Sequence, residues 1–127
     1  MASGKPLVIV VEDDADMSRA LESVLKAAGF DAAMFPSAEA LLEVQVAADT
    51  TCLVLDVHLP GMTGFELYDR LSNTHQRCPV IFITGYDEPA ARARSTKAGA
   101  VAYLAKPFAG KRLIESIRRV IRAAPHG

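Results

Sequence analysis

Five short apolar runs alternate with longer amphipathic stretches along this chain. Runs of this length that are apolar throughout predict strands buried on both faces of a sheet, whereas apolar residues that recur every three or four positions predict helices. The predicted strands are Leu7–Val11, Ala32–Phe35, Cys52–Asp56, Val80–Thr84 and Val101–Ala105. A helical segment follows each of them.

The helical segments have recognisable ends. The first helix is predicted from about Asp16 to just before Gly29, and Ser37 is predicted to cap the start of the second. The other three helices are predicted at Phe65 to about Leu71, Pro89–Ala98 and Gly110–Ala123. In the last helix, the residues predicted to face inward are Leu113, Ile114, Ile117, Val120 and Ile121. Repeated strand–helix units with right-handed crossovers predict an α/β fold, a doubly wound five-stranded parallel sheet in the order 2-1-3-4-5.

Four of the predicted strands end in a polar residue or are followed by one. Asp13 follows the first strand, Asp56 and Thr84 end the third and fourth, and Lys106 follows the fifth. In the predicted order these strands are neighbours, and ligands of open parallel sheets bind beyond the carboxyl ends of the strands. The sequence therefore predicts one pocket at this edge of the sheet.

The acids of this pocket would repel one another. Two like charges at 4 Å cost about 4 kcal/mol at an effective dielectric constant of about 20, so Glu12, Asp13 and Asp56 predict a bound cation. Oxygen ligands alone favour Mg²⁺ over zinc, and Mg²⁺ commonly bridges to phosphate. With Lys106 as a second positive charge and the Thr84 hydroxyl as a donor, Asp56 could attack phosphorus as a nucleophile.

Composition narrows the class of protein. The 127 residues, half of them hydrophobic, fit a single domain of residues 1–127 with its core at about residues 7–123. The longest apolar stretches fall short of the roughly 20 residues of a membrane span, and the first residues lack the order of a signal peptide, so a soluble, cytoplasmic protein is expected. Cys52 and Cys78 are not in a CxxC pair, which favours reduced structural thiols over a zinc site.

Charge is unevenly distributed along the chain. Residues 1–49 contain nine acids and three bases, whereas residues 106–127 contain six bases and one acid. The bases of the last helix fit either a solvated helix face or a docking surface, and alone they do not predict nucleic-acid binding.

The segments VVEDD, LDVHLPGMTG, ITG and YLAKPF follow one another in an order and spacing that resembles the receiver domain of two-component response regulators. The resemblance covers about Leu7 to Ala123 and implies a (βα)5 flavodoxin-like fold. It implies that Asp56 accepts a phosphoryl group from a phosphohistidine on a sensor histidine kinase or a histidine phosphotransfer protein.

The resemblance also implies roles around Asp56. Asp13, Asp56 and the backbone carbonyl of His58 would bind Mg²⁺ (or Mn²⁺) directly, and Glu12 would bind it mostly through water. Lys106 would contact the phosphoryl oxygens.

A conformational change is implied as well. Thr84 would move to the phosphoryl group and Tyr103 would swing inward, which would alter the face formed by helix 4, strand 5 and helix 5. His58 and Tyr86 would tune the phosphoryl lifetime, and the bond before Pro107 would be cis. Without the resemblance, Tyr103 would be interpreted as an ordinary strand aromatic.

The segments PSAEALLE and AGAVAYLAKPF most resemble receivers of the nitrogen-fixation (LuxR-type) transcriptional regulators. The implied partners are therefore a downstream effector domain or protein and, on phosphorylation, a second copy of the chain. Nucleic acid would be bound only through a separate output domain, and whether the chain is a whole regulator or part of a longer one stays open.

Two alternative functions use similar residues. A Mg²⁺-dependent phosphatase of the haloacid-dehalogenase type also has an Asp nucleophile, but it has a second Asp two positions later, where this chain has His58. A flavodoxin-like binding module would need a Ser/Thr/Gly-rich loop after the first strand, and VEDD stands there instead.

Overall fold

Five parallel strands form one sheet that carries helices on both faces. The computed structural model describes residues 4–74 and 78–123, whereas the predicted domain of residues 1–127 also contains residues 1–3, 75–77 and 124–127, which lie outside the described residues. The strands are β1 (Leu7–Val11), β2 (Asp31–Phe35), β3 (Thr50–Asp56), β4 (Val80–Thr84) and β5 (Ala102–Ala105). The helices are α1 (Ala15–Ala27), α2 (Ala38–Leu42), α3 (Gly64–Thr74), α4 (Pro89–Lys97) and α5 (Gly110–Ala123).

The strand order is β2-β1-β3-β4-β5, and every pair is parallel. This confirms the predicted order 2-1-3-4-5. The register aligns Asp56 with Ile83 and Thr84 with Ala105. The carboxyl ends of β3, β4 and β5 therefore lie side by side.

The sheet separates two apolar clusters, because side chains alternate between its faces. On β1, Val8 and Val10 belong to one cluster, whereas Ile9 and Val11 belong to the other. Helices α1 and α5 cover the first cluster, and α2, α3 and α4 cover the second. Burial on both faces explains why the central strands are apolar throughout.

The ends of two helices close to the pocket are fixed by side-chain caps. Asp14 Oδ1 accepts hydrogen bonds from the backbone N–H groups of Asp16 and Met17 at 2.9 and 3.1 Å, so α1 starts directly after Asp14. Before α3, Thr63 Oγ1 accepts from Glu66 N at 3.1 Å and Glu66 Oε1 accepts from Thr63 N at 3.0 Å. This reciprocal capping box was not predicted from the sequence, although the Thr-x-x-Glu spacing signals it.

The bounds of several elements differ from the prediction. β3 begins two residues earlier, at Thr50, and α3 continues to Thr74. The prediction that Ile121 faces inward is wrong, because its side chain is 37% exposed. It lies in the last turn of α5, where Arg122 and Ala123 are also exposed, so this turn extends beyond the apolar core.

Candidate functional site

Three carboxylates converge at the carboxyl ends of β1 and β3. Glu12 and Asp56 are only 2% and 3% exposed, whereas Asp13 is exposed. One oxygen from each of the three lies within 4.8 Å of the others. The predicted clustering of these acids is therefore present, and it consists of two buried carboxylates and one that faces solvent.

Lys106 joins the two buried carboxylates. Its Nζ donates to Glu12 Oε1 at 2.6 Å and to Asp56 Oδ2 at 2.7 Å. The lysine side chain is itself only 18% exposed, so the pairing is screened weakly by water. The residue after β5 thus supplies a cation between Glu12, which follows β1, and Asp56, which ends β3.

The pKa values of both Glu12 and Lys106 are raised above their ordinary values. Burial is the main cause that raises the pKa of Glu12 above its ordinary value, although the hydrogen bond from Lys106 opposes the shift. Burial alone would lower the pKa of Lys106, but its hydrogen bonds to Asp56 and Glu12 outweigh that effect and raise the pKa. The lysine therefore stays charged, and Glu12 is the carboxyl that takes up a proton more easily than usual.

The loop after β3 holds the Asp56 carboxylate from the other side. The backbone N–H of His58 donates to Asp56 Oδ1 at 2.8 Å. The two oxygens of Asp56 thus have different donors, the loop backbone at Oδ1 and Lys106 at Oδ2. The His58 side chain is exposed.

Close packing of the same loop requires a glycine. A Cβ at Gly64 would lie 2.4 Å from the carbonyl oxygen of Asp56 and 3.1 Å from its carbonyl carbon. The backbone N–H of Gly64 also donates to Val57 O at 3.0 Å. Pro and Gly residues in this segment are typical of a turn, but the sequence alone does not show that Gly64 lies against the backbone of Asp56.

Thr84 is fully buried at the end of β4, and its hydroxyl contacts the loop that follows. Oγ1 donates to Tyr86 O and accepts from Tyr86 N, both at 3.0 Å. Both hydrogen bonds of the Thr84 hydroxyl are therefore made to the backbone of the loop that follows β4. The side chain of Tyr86 is 65% exposed, and its ring lies edge-on to that of His58 with 6.2 Å between the centroids.

Tyr103 on β5 packs against the core beside the loop that follows β4. Its hydroxyl is buried near Asp87 and Glu88 but makes no hydrogen bond of good geometry within the described residues. The guanidinium of Arg92 lies 4.9 Å from the ring centroid and forms two hydrogen bonds to Asp87, at 2.9 and 2.8 Å. Neither Asp87 nor Arg92 was predicted as a functional residue, because only the fold brings them to this ring.

The peptide bond between Lys106 and Pro107 is cis, the isomer that the resemblance implies. Within residues 4–74 and 78–123, no helix is both long enough and apolar enough to cross a bilayer.

The motif residues and their geometry agree with comparisons to known proteins. Residues 8–118 match the family described as the response regulator receiver domain. The chain is 39% identical over 116 residues to nodulation protein W of Bradyrhizobium diazoefficiens, which covers 91% of this chain and 51% of that protein. It is 35% identical over 117 residues to the transcriptional regulatory protein FixJ of the same organism, covering 92% of this chain and 57% of that protein.

Solved structures of response regulators also superpose on this chain. The response regulator StyR superposes with a TM-score of 0.83 at 36% identity, covering 94% of this chain and 60% of that chain. The non-phosphorylated HemR receiver domain from Leptospira biflexa superposes with a TM-score of 0.86 at 26% identity, covering 97% of this chain and all of that chain (100%).

The chain belongs to the receiver domain family of response regulators, which are signalling proteins. The similarity to FixJ confirms the predicted nitrogen-fixation subgroup. The chain spans about half the length of the curated relatives that it matches. The match over residues 8–118 favours the receiver interpretation over the phosphatase alternative.

Proposed function

We propose that this domain is a phosphorylation switch whose phosphoacceptor is Asp56. The observation that carries the proposal is the placement of a buried Asp56 carboxylate between the Lys106 ammonium, at 2.7 Å, and the backbone N–H of His58, at 2.8 Å. A carboxylate held in this way is oriented for attack, and the cation beside it can neutralise charge on a phosphoryl group.

The reaction exchanges one bond to phosphorus for another. An Asp56 carboxylate oxygen attacks the phosphorus of a phosphohistidine, and the bond between phosphorus and the imidazole nitrogen breaks. The electron pair leaves with the imidazole of the donor protein, which then takes up a proton. The domain catalyses only its own phosphorylation and the later hydrolysis of the acyl phosphate.

The acidic cluster fits a divalent cation. Three carboxylates supply oxygen ligand atoms within 4.8 Å, and hard oxygen ligands suit Mg²⁺. Glu12, Asp13, Asp56 and the backbone carbonyl of His58 would hold Mg²⁺ or Mn²⁺. When bound, the ion would supply positive charge to the transferring phosphoryl oxygens.

Phosphorylation would change the contacts of three further side chains. Lys106 would transfer a hydrogen bond from the Asp56 carboxylate to a phosphoryl oxygen. Thr84 would exchange its Tyr86 backbone partners for another phosphoryl oxygen and move the loop after β4. Because Tyr103 packs beside that loop, its position would change together with the face formed by α4, β5 and α5.

The partners follow from this chemistry. The phosphoryl donor would be a cytoplasmic sensor histidine kinase or histidine phosphotransfer protein. Curated relatives about twice the length of the matched region include a transcriptional regulatory protein, which supports a downstream effector domain that would bind any nucleic acid. Residues 1–127 would form one receiver domain, and phosphorylation would favour a homodimer.

His58 and Tyr86, whose rings contact each other next to the site, would tune the phosphoryl lifetime.

Intact-mass spectrometry with acetyl phosphate and Mg²⁺ tests this function. Wild-type protein should gain the mass of one phosphoryl group, whereas Asp56→Asn should gain none because the amide is a poor nucleophile. Asp69→Asn, a change at an exposed carboxylate of α3, is the matched control and should be modified like wild type. An unmodified wild-type protein would contradict the proposal, and rapid repeated turnover of a phosphomonoester would favour the phosphatase alternative.

A further inference from the structure

An ion pair joins the loop after β4 to the start of α4. Arg92 Nε donates to Asp87 Oδ1 at 2.9 Å, and Arg92 Nη2 donates to Asp87 Oδ2 at 2.8 Å. Each carboxylate oxygen therefore has its own donor, the bidentate arrangement in which Arg–carboxylate pairs are strongest. The hydrogen bonds from Arg92 also lower the pKa of Asp87, so the carboxylate stays charged at neutral pH. We call this ion pair the loop clasp.

The arginine of the loop clasp also contacts Tyr103. Its guanidinium carbon lies 4.9 Å from the centroid of the ring, within the range of cation–π attraction. The Tyr103 hydroxyl is buried and makes no hydrogen bond of good geometry within residues 4–74 and 78–123. Because the hydroxyl does not anchor the ring, the position of Tyr103 depends on its packing and on Arg92.

The aspartate of the loop clasp is one residue from the contacts of Thr84. Tyr86 precedes Asp87, and its backbone N–H and carbonyl both bond to Thr84 Oγ1 at 3.0 Å. Adjacent Cα atoms are about 3.8 Å apart, so a movement of Tyr86 also displaces Asp87. Because the backbone of Arg92 is held in α4, this displacement would break the loop clasp. The loop clasp therefore stabilises the arrangement in which Thr84 is bonded to Tyr86.

The effect of the loop clasp is local. Its arginine and aspartate side chains are 56% and 39% exposed, and exposed ion pairs contribute little to the free energy of unfolding. A contact of this size can still shift a local equilibrium, because the loop that contacts Thr84 opens at a lower free energy than the whole domain.

A second arginine of α4 has different contacts. The guanidinium of Arg94 lies 4.6 Å from the ring centroid of Phe65 on α3, and no carboxylate of the described residues forms an ion pair with it. Arg94 is exposed like Arg92 and carries the same charge, so it is the matched control.

We propose that the loop clasp couples Thr84 to Tyr103 and opposes the movement of Thr84 toward a phosphoryl group on Asp56. This role rests on the proposed function, because the phosphoryl group is what would draw Thr84 away from Tyr86. Loss of the loop clasp removes a contact of the starting arrangement, so the population shifts toward the arrangement in which Thr84 is released. A ligand that needs Thr84 then binds more tightly, since apparent affinity rises with the population of the competent arrangement.

Hydrogen exchange of the Tyr86 amide, followed by NMR, tests the hold on Thr84 in unmodified protein. This amide donates to Thr84 Oγ1, so its exchange rate reports how often the contact opens. Arg92→Gln and Asp87→Asn should each speed exchange about two- to fivefold, the effect expected of one exposed ion pair. The double variant should exchange no faster than either single variant, because both changes remove the same contact. Arg94→Gln should exchange at the wild-type rate.

The ring resonances of Tyr103 test the coupling. Thr84→Ala removes the hydroxyl that holds Tyr86, so it should shift these resonances in the wild-type background. In the Arg92→Gln background the shift should be much smaller, because the loop and the ring are no longer joined.

Binding of beryllium trifluoride with Mg²⁺, followed by NMR titration, tests the link to Asp56, because this anion is an analogue of the phosphoryl group. Each single variant of the loop clasp should bind it about two- to fivefold more tightly than wild type. A variant that was merely damaged would bind more weakly instead. Urea unfolding checks that each variant is folded.

Several results would overturn the proposal. They are wild-type exchange in both single variants, additive effects in the double variant, faster exchange in Arg94→Gln, and equal Tyr103 shifts in the two backgrounds. Faster exchange without tighter binding, in protein that binds beryllium trifluoride, would also overturn it. If the wild-type protein binds no beryllium trifluoride, the proposed function fails, whereas faster exchange in the variants would still support the hold of the loop clasp on Thr84.

Discussion

Replacing Lys106 by methionine should destabilise the domain and make its stability strongly dependent on pH. The side chain keeps a similar length but loses its charge, so Glu12 and Asp56 remain buried without their shared cation. At distances of 2.6 and 2.7 Å, each contact corresponds to about 6 kcal/mol of Coulomb attraction at an effective dielectric constant of about 20. Much of this attraction offsets the cost of burying the charges.

Protonation of Glu12 limits how much unfolding free energy the Lys106→Met variant loses. The ordinary pKa of glutamate is 4.5, so protonating Glu12 at pH 7 costs about 3 kcal/mol, at about 1.36 kcal/mol per pH unit. The Lys106→Met variant should therefore lose about 3 kcal/mol of unfolding free energy at pH 7. This value agrees with the 3 to 5 kcal/mol typical of breaking a buried pair.

The sign of the pH dependence follows from the direction of the Glu12 shift. Its pKa is raised in the folded protein, so above pH 4.5 the folded state binds a proton that the unfolded state has lost. Stability therefore falls as pH rises through this window, and in the variant the window is wider because the opposing hydrogen bond from Lys106 is gone.

Urea unfolding between pH 5 and pH 8, in buffer with chelator, measures both effects. The unfolding free energy of Lys106→Met should be only slightly below that of wild type near pH 5 and about 3 kcal/mol below it at pH 7. Lys111→Met, which removes an exposed lysine, should stay within about 0.5 kcal/mol of wild type. A Lys106→Met variant as stable as wild type at pH 7 would refute the electrostatic reasoning.

Two further substitutions test the packing around the site. Gly64→Ala should cost about 1 to 3 kcal/mol in urea unfolding, because its Cβ would overlap the backbone of Asp56. A Cβ at Gly85 would lie 3.9 Å from Lys106 Cδ, an ordinary van der Waals contact, so Gly85→Ala should cost less than about 1 kcal/mol. Equal costs of the two substitutions would contradict the contact at Gly64. Arg92→Gln should shift the ring proton resonances of Tyr103 in NMR spectra, whereas Arg94→Gln, whose guanidinium lies over a different ring, should leave them in place. Unchanged Tyr103 resonances in Arg92→Gln would show that Arg92 does not hold this ring.

The sheet was predictable because its signal is local and repeated. Strands buried on both faces must be apolar throughout, and helices that cover one face must be amphipathic, so both periods are visible in the sequence. The strand order then follows from few alternatives, since crossovers are right-handed. The meeting of Glu12, Asp13, Asp56 and Lys106 followed from that order.

The contacts within the site were less predictable, because they depend on side-chain orientation. Nothing in the sequence shows that Lys106 donates to both buried carboxylates, or that Thr84 bonds to the backbone of Tyr86. The pair of Asp87 and Arg92 was missed because charged residues five positions apart near a helix start are common on protein surfaces. The exposure of Ile121 was missed because periodicity does not show where a helix leaves the core.

Location of the phosphoryl group tests the central claim most directly. After treatment with acetyl phosphate and Mg²⁺, borohydride reduces an aspartyl phosphate to homoserine, and peptide mass spectrometry then identifies the modified position. The account predicts homoserine at residue 56 in wild type and none in Asp56→Asn. Homoserine at residue 13, or an unmodified residue 56 in protein that has gained a phosphoryl group, would contradict it.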